Sequence, residues 1–458
     1  MHNDSTKCLP DPEAETLDNC IRVKCGGPAH GGAMVARHHG RVIFVDGALP
    51  NEDVTVCVTE EKKSFVRGYV VDIHSANPER RDHVCEAAAA GAGCCTWDNA
   101  SLTLQRTMKA QIVDDLLHRI GGCSHIPWKG SVTPLSGETL SGEPNTDGTQ
   151  WRVRQRLSIN SRGEVGPLAA RSHTVIAATC SQVVPLLSGS PREWGIADEV
   201  ASLAGTSSEL VLAADSLGER HIVSLTREQR HYRGSRRAQA TARRAHTSHI
   251  VRREVLEGSG MATERVLGQE WHIPADSFWQ AHYAAPAVYA QLVCDCADLH
   301  DGESAWDLYG GCGIFAHALS RAASHSCAVV SVDTAGPAIA AGKASFRHTG
   351  QKISMVESSV SQWLHKGVSA DDTAPATVVL DPPRAGAGKD VVCGVAAHQP
   401  RTVMHFGCDA AAFARDLHLW KENGYGISEV RIFDSFPNTP HMELSLIHIS
   451  EPTRPERI

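Results

Sequence analysis

The chain has 458 residues, 42% of them apolar and 21% charged, with 39 glycines and 22 prolines, which is ordinary globular composition spread over more than one core. No apolar run approaches the ~20 residues that span a bilayer, and Met1-His2-Asn3-Asp4-Ser5-Thr6-Lys7 lacks an apolar stretch, so the reading is of a cytoplasmic enzyme without membrane span or secretory leader. Lys and Arg number 44 against 52 Asp and Glu, a net charge of −8 that argues against a generally basic nucleic-acid binder, and the 15 scattered cysteines read as reduced thiols rather than a disulfide framework.

Residues 1–17 are polar and acidic and are expected to form a disordered tail. From 18 to 80 short alternating segments such as Arg41-Val42-Ile43-Phe44-Val45 and Val54-Thr55-Val56-Cys57-Val58 are separated by glycine and proline turns, which predicts a small β-barrel. Barrels of this size often present a face to single-stranded nucleic acid. Residues 81–270 read as a β-rich central domain. Within it, apolar residues at 104, 108, 112 and 116, and again at 113, 117 and 120, predict a helix over 102–120 with one buried stripe that packs on the catalytic domain. Nine arginines and a single acid, Glu228, lie between Arg227 and Arg253. That stretch suits either a phosphate backbone, with Arg236, Arg237 and Arg244 as contacts, or a solvated loop.

From 271 to 446 short apolar strands alternate with alanine-rich helical stretches. The strands are expected at 305–309, 328–333, 353–357, 376–381, 401–408, 430–436 and 442–446. Seven strands interleaved with helices imply an α/β, doubly wound, Rossmann-like sheet, whose ligands sit outside the carboxyl ends of the strands.

Those strand ends carry the chemistry. The first runs into Asp307-Leu308-Tyr309-Gly310-Gly311-Cys312-Gly313, a turn whose glycines let backbone approach a ligand at a helix N-terminus. Asp333 ends the next strand, where a carboxylate would hold a ribose hydroxyl pair. Asp381-Pro382-Pro383-Arg384 closes the fourth strand with a rigid turn that fixes the Asp381 carboxylate. Cys408, in Phe406-Gly407-Cys408-Asp409, precedes a helix whose dipole is expected to stabilise its thiolate and make it a nucleophile. Glu443 alternates with Met442 and Leu444, so it faces away from them and is a candidate general base.

Taken together, Phe278-Trp279-Gln280, the 307–315 turn, Asp381-Pro382-Pro383-Arg384, Gly407-Cys408-Asp409 with Ala414-Arg415-Asp416-Leu417, and His441-Met442-Glu443 resemble the S-adenosylmethionine-dependent RNA uracil-5-methyltransferase family. The motifs follow family order across 274–445. Segment 18–80 resembles the family's TRAM barrel, and Trp151 to Arg171 resembles its central β domain. The resemblance implies a class I methyltransferase domain acting on tRNA or 23S ribosomal RNA. It also implies S-adenosylmethionine held by Gln280, Tyr309, Gly311, Gly313, Asp333 and Asp381, with Cys408 as nucleophile and Glu443 as proton-abstracting base. Ile314 departs from the family at a position that often carries a side-chain cofactor contact. The implied partner is RNA, and the implied protein a monomer.

Many family members hold a [4Fe–4S] cluster through a Cys, a C-x-x-C pair and a later Cys. The resemblance carries these ligands onto Cys85, Cys94, Cys95 and Cys180. Here, however, Cys94 and Cys95 are adjacent, and Ala92 stands where C-x-x-C would place a thiol. A cluster-free structural loop is the alternative. Residues 447–458 resemble a non-native tail. Two further readings stand beside the leading one. One is RNA cytosine-5 methylation, disfavoured because such enzymes commonly carry Pro-Cys where this chain has Gly407-Cys408. The other is an RNA-binding or RNA-folding factor that keeps the scaffold with little activity.

Overall fold

The computed structural model describes residues 19–122, 131–228, 249–366 and 374–450. The expected tail at 1–17, the arginines Arg236, Arg237 and Arg244, and positions beyond 450 lie outside the described residues. The chain divides into two compact units, 1–80 and 81–458.

In the first unit β1 (Cys20–Pro28), β2 (Met34–His38), β3 (Arg41–Asp46), β4 (Asp53–Glu61) and β5 (Phe65–Ser75) close into a barrel of order β1-β2-β3-β5-β4. Strand alternation explains the closure. Met34, Ile43, Val45, Val54 and Val56 all point into the barrel and are 0–1% exposed. Gly68 sits where β4 and β5 cross so closely that a Cβ would lie 2.4 Å from the Cys57 carbonyl oxygen. Buried Glu52 holds the end of this unit. Its carboxylate accepts from Leu49 N–H at 2.7 Å, Asn77 N–H at 3.1 Å and Arg80 Nε at 2.6 Å.

In the second unit the short helix Glu86–Ala89 precedes the helix Leu102–Arg119. Ser101 caps it by accepting from Leu104 N–H at 3.0 Å, and Leu104, Met108, Ile112, Val113, Leu116 and Leu117 form its buried stripe. β6 (Val132–Pro134) follows. β7 (Arg154–Ile159), β8 (Val165–Gly166), β9 (Ser208–Ala214), β10 (Arg220–Glu228) and β11 (His249–Glu257) form an antiparallel sheet of order β11-β10-β9-β7-β8. β12 (Met261–Val266) and β13 (Gln269–Pro274) form a hairpin.

The large sheet contains β14 (Ser304–Leu308), β15 (Ala328–Asp333), β16 (Ile353–Glu357), β17 (Thr377–Leu380), β18 (Thr402–Gly407), β19 (Gly426–Asp434) and β20 (Glu443–Ser450), ordered β16-β15-β14-β17-β18-β20-β19-β6. The five strands from β16 to β18 are parallel, whereas β20 runs antiparallel to both neighbours. This is the α/β sheet expected from the alternation of strands and helices, and strand order reverses between β14 and β17. Two boundaries differ from the sequence reading. The eighth strand, β6, comes from the central segment, and one apolar core runs from Leu135 and Leu157 through Trp271 to Met404 and Phe433. Residues on either side of 270 therefore share a core. The last strand continues to Ser450, paired with Gly426, because β19 offers it backbone partners beyond the end of its pairing with β18.

The helix Leu102–Arg119 carries two buried polar residues on its packed face, Gln105 and Lys109. Lys109 Nζ donates to Asp434 Oδ1 at 2.6 Å and to the Phe436 carbonyl at 3.1 Å, and Arg106 Nε reaches Asp434 Oδ2 at 3.0 Å. Burial pushes the Asp434 carboxyl up, but the two cations outweigh it and hold the group below the usual carboxylate range. Both ends of the Lys109–Asp434 pair are fully buried. Lys109→Met is expected to cost about 3–5 kcal/mol, read as a lower urea midpoint, because it leaves a buried carboxylate short of a partner. Adding Asp434→Leu to it is expected to restore part of that loss.

Candidate active site

The turn after β14 is held by carboxylates. Asp333, at the end of β15, accepts from Gly311 N–H at 3.0 Å and from Ala335 N–H at 2.7 Å, so it ties the first two strand ends together. Tyr309 is in the left-handed region at φ 64°, a conformation uncommon for a side-chain-bearing residue and typical of ligand turns. Gly313, at φ 87°, starts the helix Ile314–Ala322, and a Cβ there would lie 2.9 Å from the Phe346 ring. Trp271 of β13 supports the turn from outside, its indole N–H donating to the Cys312 carbonyl at 2.9 Å.

Beneath the turn lies Asp307. Its Oδ2 accepts from Ala316 N–H and Ser331 Oγ, both at 3.0 Å, while Oδ1 has no partner among the described residues. Burial pushes this carboxyl up to about 7. Its place in the sequence marks it only as the start of a glycine turn.

A cavity of about 1420 Å³ opens over the carboxyl ends of these strands. Gln280, Tyr309, Gly311, Asp333, Asp381, Cys408 and Glu443 all line it, although they lie up to 163 positions apart in the chain. Gly313 does not line it; its part is to let the turn enter the helix. Asp381 follows β17, its N–H bonded to the Leu308 carbonyl at 3.2 Å, so the fourth strand end is fixed to the first. Burial and then the neighbouring Asp333 push the Asp381 carboxyl up to about 7.

Cys408 and Glu443 meet because β18 and β20 are paired, with Gly407 opposite Leu444. Glu443 is 4% exposed. Gly407 N–H donates to its carboxylate, and its Oε1 has no partner among the described residues. Burial and then Asp381 drive its pKa well above the ordinary value.

The Cys408 thiol does not follow the dipole expectation. The N-cap of the helix Ala410–Glu422 is Asp409, whose carboxylate already accepts from Ala412 N–H at 2.8 Å. Burial first, then Glu443 and Asp381, push the thiol up to about 12, with Arg384 opposing them. Arg384 belongs to the Asp-Pro-Pro-Arg segment, but only the fold shows that it faces Cys408. Arg152 also lines the cavity, its guanidinium 4.7 Å from the Trp151 ring; alternation in its strand carries no signal for that.

The four cysteines singled out in the sequence come together. The sulfurs of Cys85, Cys95 and Cys180 lie within 4.8 Å of one another, and Cys94 Sγ is 3.7 Å from Cys95 Sγ. Of the four, Cys94 alone lines the cavity. Among the described residues no helix is long and apolar enough to cross a membrane.

With this geometry in place, comparison with known proteins is informative. Residues 237–450 match the family described as tRNA (uracil-5-)-methyltransferase, and residues 19–71 match the TRAM domain. The chain is 38% identical over 455 residues to an uncharacterized RNA methyltransferase of Corynebacterium efficiens, covering 96% of this chain and 97% of the relative. A Corynebacterium glutamicum relative of the same description is 37% identical, covering 92% and 95%. Among solved structures, the Pyrococcus abyssi tRNA (uracil-54, C5)-methyltransferase in complex with S-adenosyl-L-homocysteine shares the fold, with a TM-score of 0.63 at 19% identity over 93% of this chain and 98% of that one. The paired strands, the strand-end motifs and these full-length relatives together show that the chain belongs to the RNA (uracil-5-)methyltransferase family, with a TRAM domain at its N-terminal end.

Proposed function

We propose that this chain transfers a methyl group from S-adenosylmethionine to carbon 5 of a uridine in RNA through a covalent Cys408–uracil adduct. The observation that carries the reading is a thiol and a buried carboxyl, Cys408 and Glu443, on directly paired strands at the wall of one cavity. The cavity suits a cationic, nucleoside-bearing ligand. Four carboxyls, Asp333, Asp381, Asp390 and Glu443, line it alongside Arg152, Arg384 and Lys389, and the raised pKa values of Asp381 and Glu443 reflect burial and then the neighbouring acid. Gln280, Tyr309, Gly311, Asp333 and Asp381 are the residues that would hold S-adenosylmethionine, with Gly313 shaping the turn. When bound, it supplies an electrophilic methyl group.

The chain's own residues do the rest. Carbon 5 of uracil is a poor nucleophile. Addition of the Cys408 sulfur at carbon 6, its proton passing to water, turns the ring into an enolate that is nucleophilic at carbon 5. After methylation Glu443 takes the carbon 5 proton, and elimination of the sulfur restores the ring. A carboxylate of raised pKa is the stronger base for that step. A uridine in folded RNA must be flipped out to reach the cavity. The TRAM barrel and the arginine-rich stretch with Arg236, Arg237 and Arg244 are assigned to backbone contact. The enzyme is assigned to the cytoplasm, where its tRNA or ribosomal RNA substrate is found, and to a monomeric state.

Incubating the protein with S-adenosylmethionine and unmodified tRNA or 23S ribosomal RNA is expected to place 5-methyluridine in one of them by mass spectrometry, and Cys408→Ala to abolish it. Glu443→Gln is expected to slow turnover by ~10²–10⁴-fold and to accumulate an RNA–protein adduct on a denaturing gel. Failure of the wild-type protein to methylate either RNA would remove the proposal.

The resting thiol gives a second expectation. Alkylation of Cys408 by iodoacetamide, followed by peptide mass spectrometry, should quicken by roughly tenfold per pH unit above pH 8, since the thiolate is the reactive form. Asp381→Asn removes a negative neighbour, lowers the thiol pKa and should raise the rate at pH 8.5 by about 3–10-fold. An unchanged or slower rate would show that Asp381 does not act on the thiol.

A further inference from the structure

The four clustered cysteines stand outside the catalytic pair, and their spacing has a chemical meaning. Thiolates on the corners of a [4Fe–4S] cubane are spread by the body of the cluster to about 6 Å or more. Around a single tetrahedral zinc ion, at ~2.3 Å from the metal, they stand about 3.8 Å apart. Here three sulfurs lie within 4.8 Å of one another, and the fourth is 3.7 Å from its neighbour. The three are too close together for the cubane that the family resemblance implies and match the size of one ion, with Cys94 beside Cys95 to complete the ligand set.

The backbone around the cluster is held in place without disulfides. All four cysteines are free. Asp98 accepts from Cys85 N–H at 3.1 Å and bonds His83 at 2.7 Å. Ala87 N–H reaches the Thr179 carbonyl at 3.2 Å, which links the Cys85 segment to the Cys180 segment. Gly93 N–H donates to the Leu168 carbonyl at 3.0 Å, and a Cβ on Gly93 would lie 2.7 Å from Ala170 Cα. A further strut comes from Ser181, whose N–H donates to Cys85 Sγ at 3.4 Å.

Arg152 is the independent observation. Its guanidinium bonds Gln182 Oε1 at 3.2 Å and the Arg154 carbonyl at 3.4 Å, and among the described residues no carboxylate pairs with it. The groups of opposite sign that face it are the sulfurs of Cys180, Cys94 and Cys95. A guanidinium held among neutral thiols is poorly matched, whereas beside four thiolates on one divalent ion, which carry a net double negative charge, it has a partner.

We propose that Cys85, Cys94, Cys95 and Cys180 bind one zinc ion as a closed tetrahedral thiolate site that stiffens the Cys94–Arg152 wall of the cavity. Soft thiolates and a complete ligand set favour zinc in a structural role.

The test is metal analysis of the full-length protein purified without added metal, by inductively coupled plasma mass spectrometry with labile-sulfide determination. The expected result is about one zinc per chain, no labile sulfide and no visible absorption band. Removal of the zinc and titration with cobalt(II) should produce the thiolate charge-transfer and d–d bands of a tetrahedral site. Cys95→Ser should lose the zinc, whereas Cys408→Ser, outside the cluster, should keep it. Iron with matching sulfide would overturn the proposal in favour of a cubane. A metal-free wild-type protein, or zinc retained by Cys95→Ser, would overturn it outright.

Discussion

The placing of Glu443 across from Cys408 depends on how a short loop is held. Glu443 enters β20 from the segment between Asp434 and Met442, and that segment is fastened by buried polar bonds to a helix more than three hundred residues earlier in the chain. Asn438, at φ 66°, is the hub. Its Oδ1 accepts from Gln105 and Arg81, each at 2.9 Å, its Nδ2 donates to the Asp147 and Gly148 carbonyls, and its N–H donates to Gln105 Oε1 at 2.8 Å. Lys109 and Asp434 anchor the loop's entry. Such bonds add modest net stability but strongly favour one arrangement. The register matters because strand side chains alternate. A one-residue slip of β20 would turn Glu443 away from Cys408 and put Leu444 in its place.

The electrostatics of the cavity follow from the same assembly. The parallel strand ends deliver Asp333 and Asp381 to one face, and β20 adds Glu443. Asp333 raises the cost of ionising Asp381, Asp381 raises that of Glu443, and burial raises both further. The Cys408 thiol therefore rests protonated, with Arg384 a partial counterweight. A cavity crowded with carboxyls favours a cation, and a protonated thiol is protected from adventitious alkylation and oxidation.

The thiol cluster and the cavity over the strand ends share a wall. Cys94 and Arg152 belong to both, so whatever fixes the cluster also fixes one side of that cavity. The surrounding bonds are backbone to backbone between segments 85–95 and 168–181, a geometry that constrains those loops relative to one another without a regular sheet between them.

Much of this was legible in residue order. Period-2 alternation marked the barrel, period-3.6 apolar spacing marked the helix Leu102–Arg119, and the alternation of strands with alanine-rich helices marked the doubly wound sheet. These patterns are local, since backbone preference and side-chain direction are set within a few residues. Strand-end motifs likewise pointed to Asp333, Asp381, Cys408 and Glu443. Other features had no local signal. β6 is three residues long and becomes a strand through its pairing with β19. Gln105 and Lys109 interrupt an apolar stripe, and their partners lie 333 and 325 residues away. The direction of the Cys408 shift, the partnerless oxygen of Asp307 and the closeness of adjacent Cys94 and Cys95 to Cys85 and Cys180 depend on burial and on the sum of neighbouring charges. The sequence by itself determined the elements and the chemistry at their ends; the tertiary structure decided register, charge state and ligand geometry, because those arise from groups that only folding brings within a few ångströms.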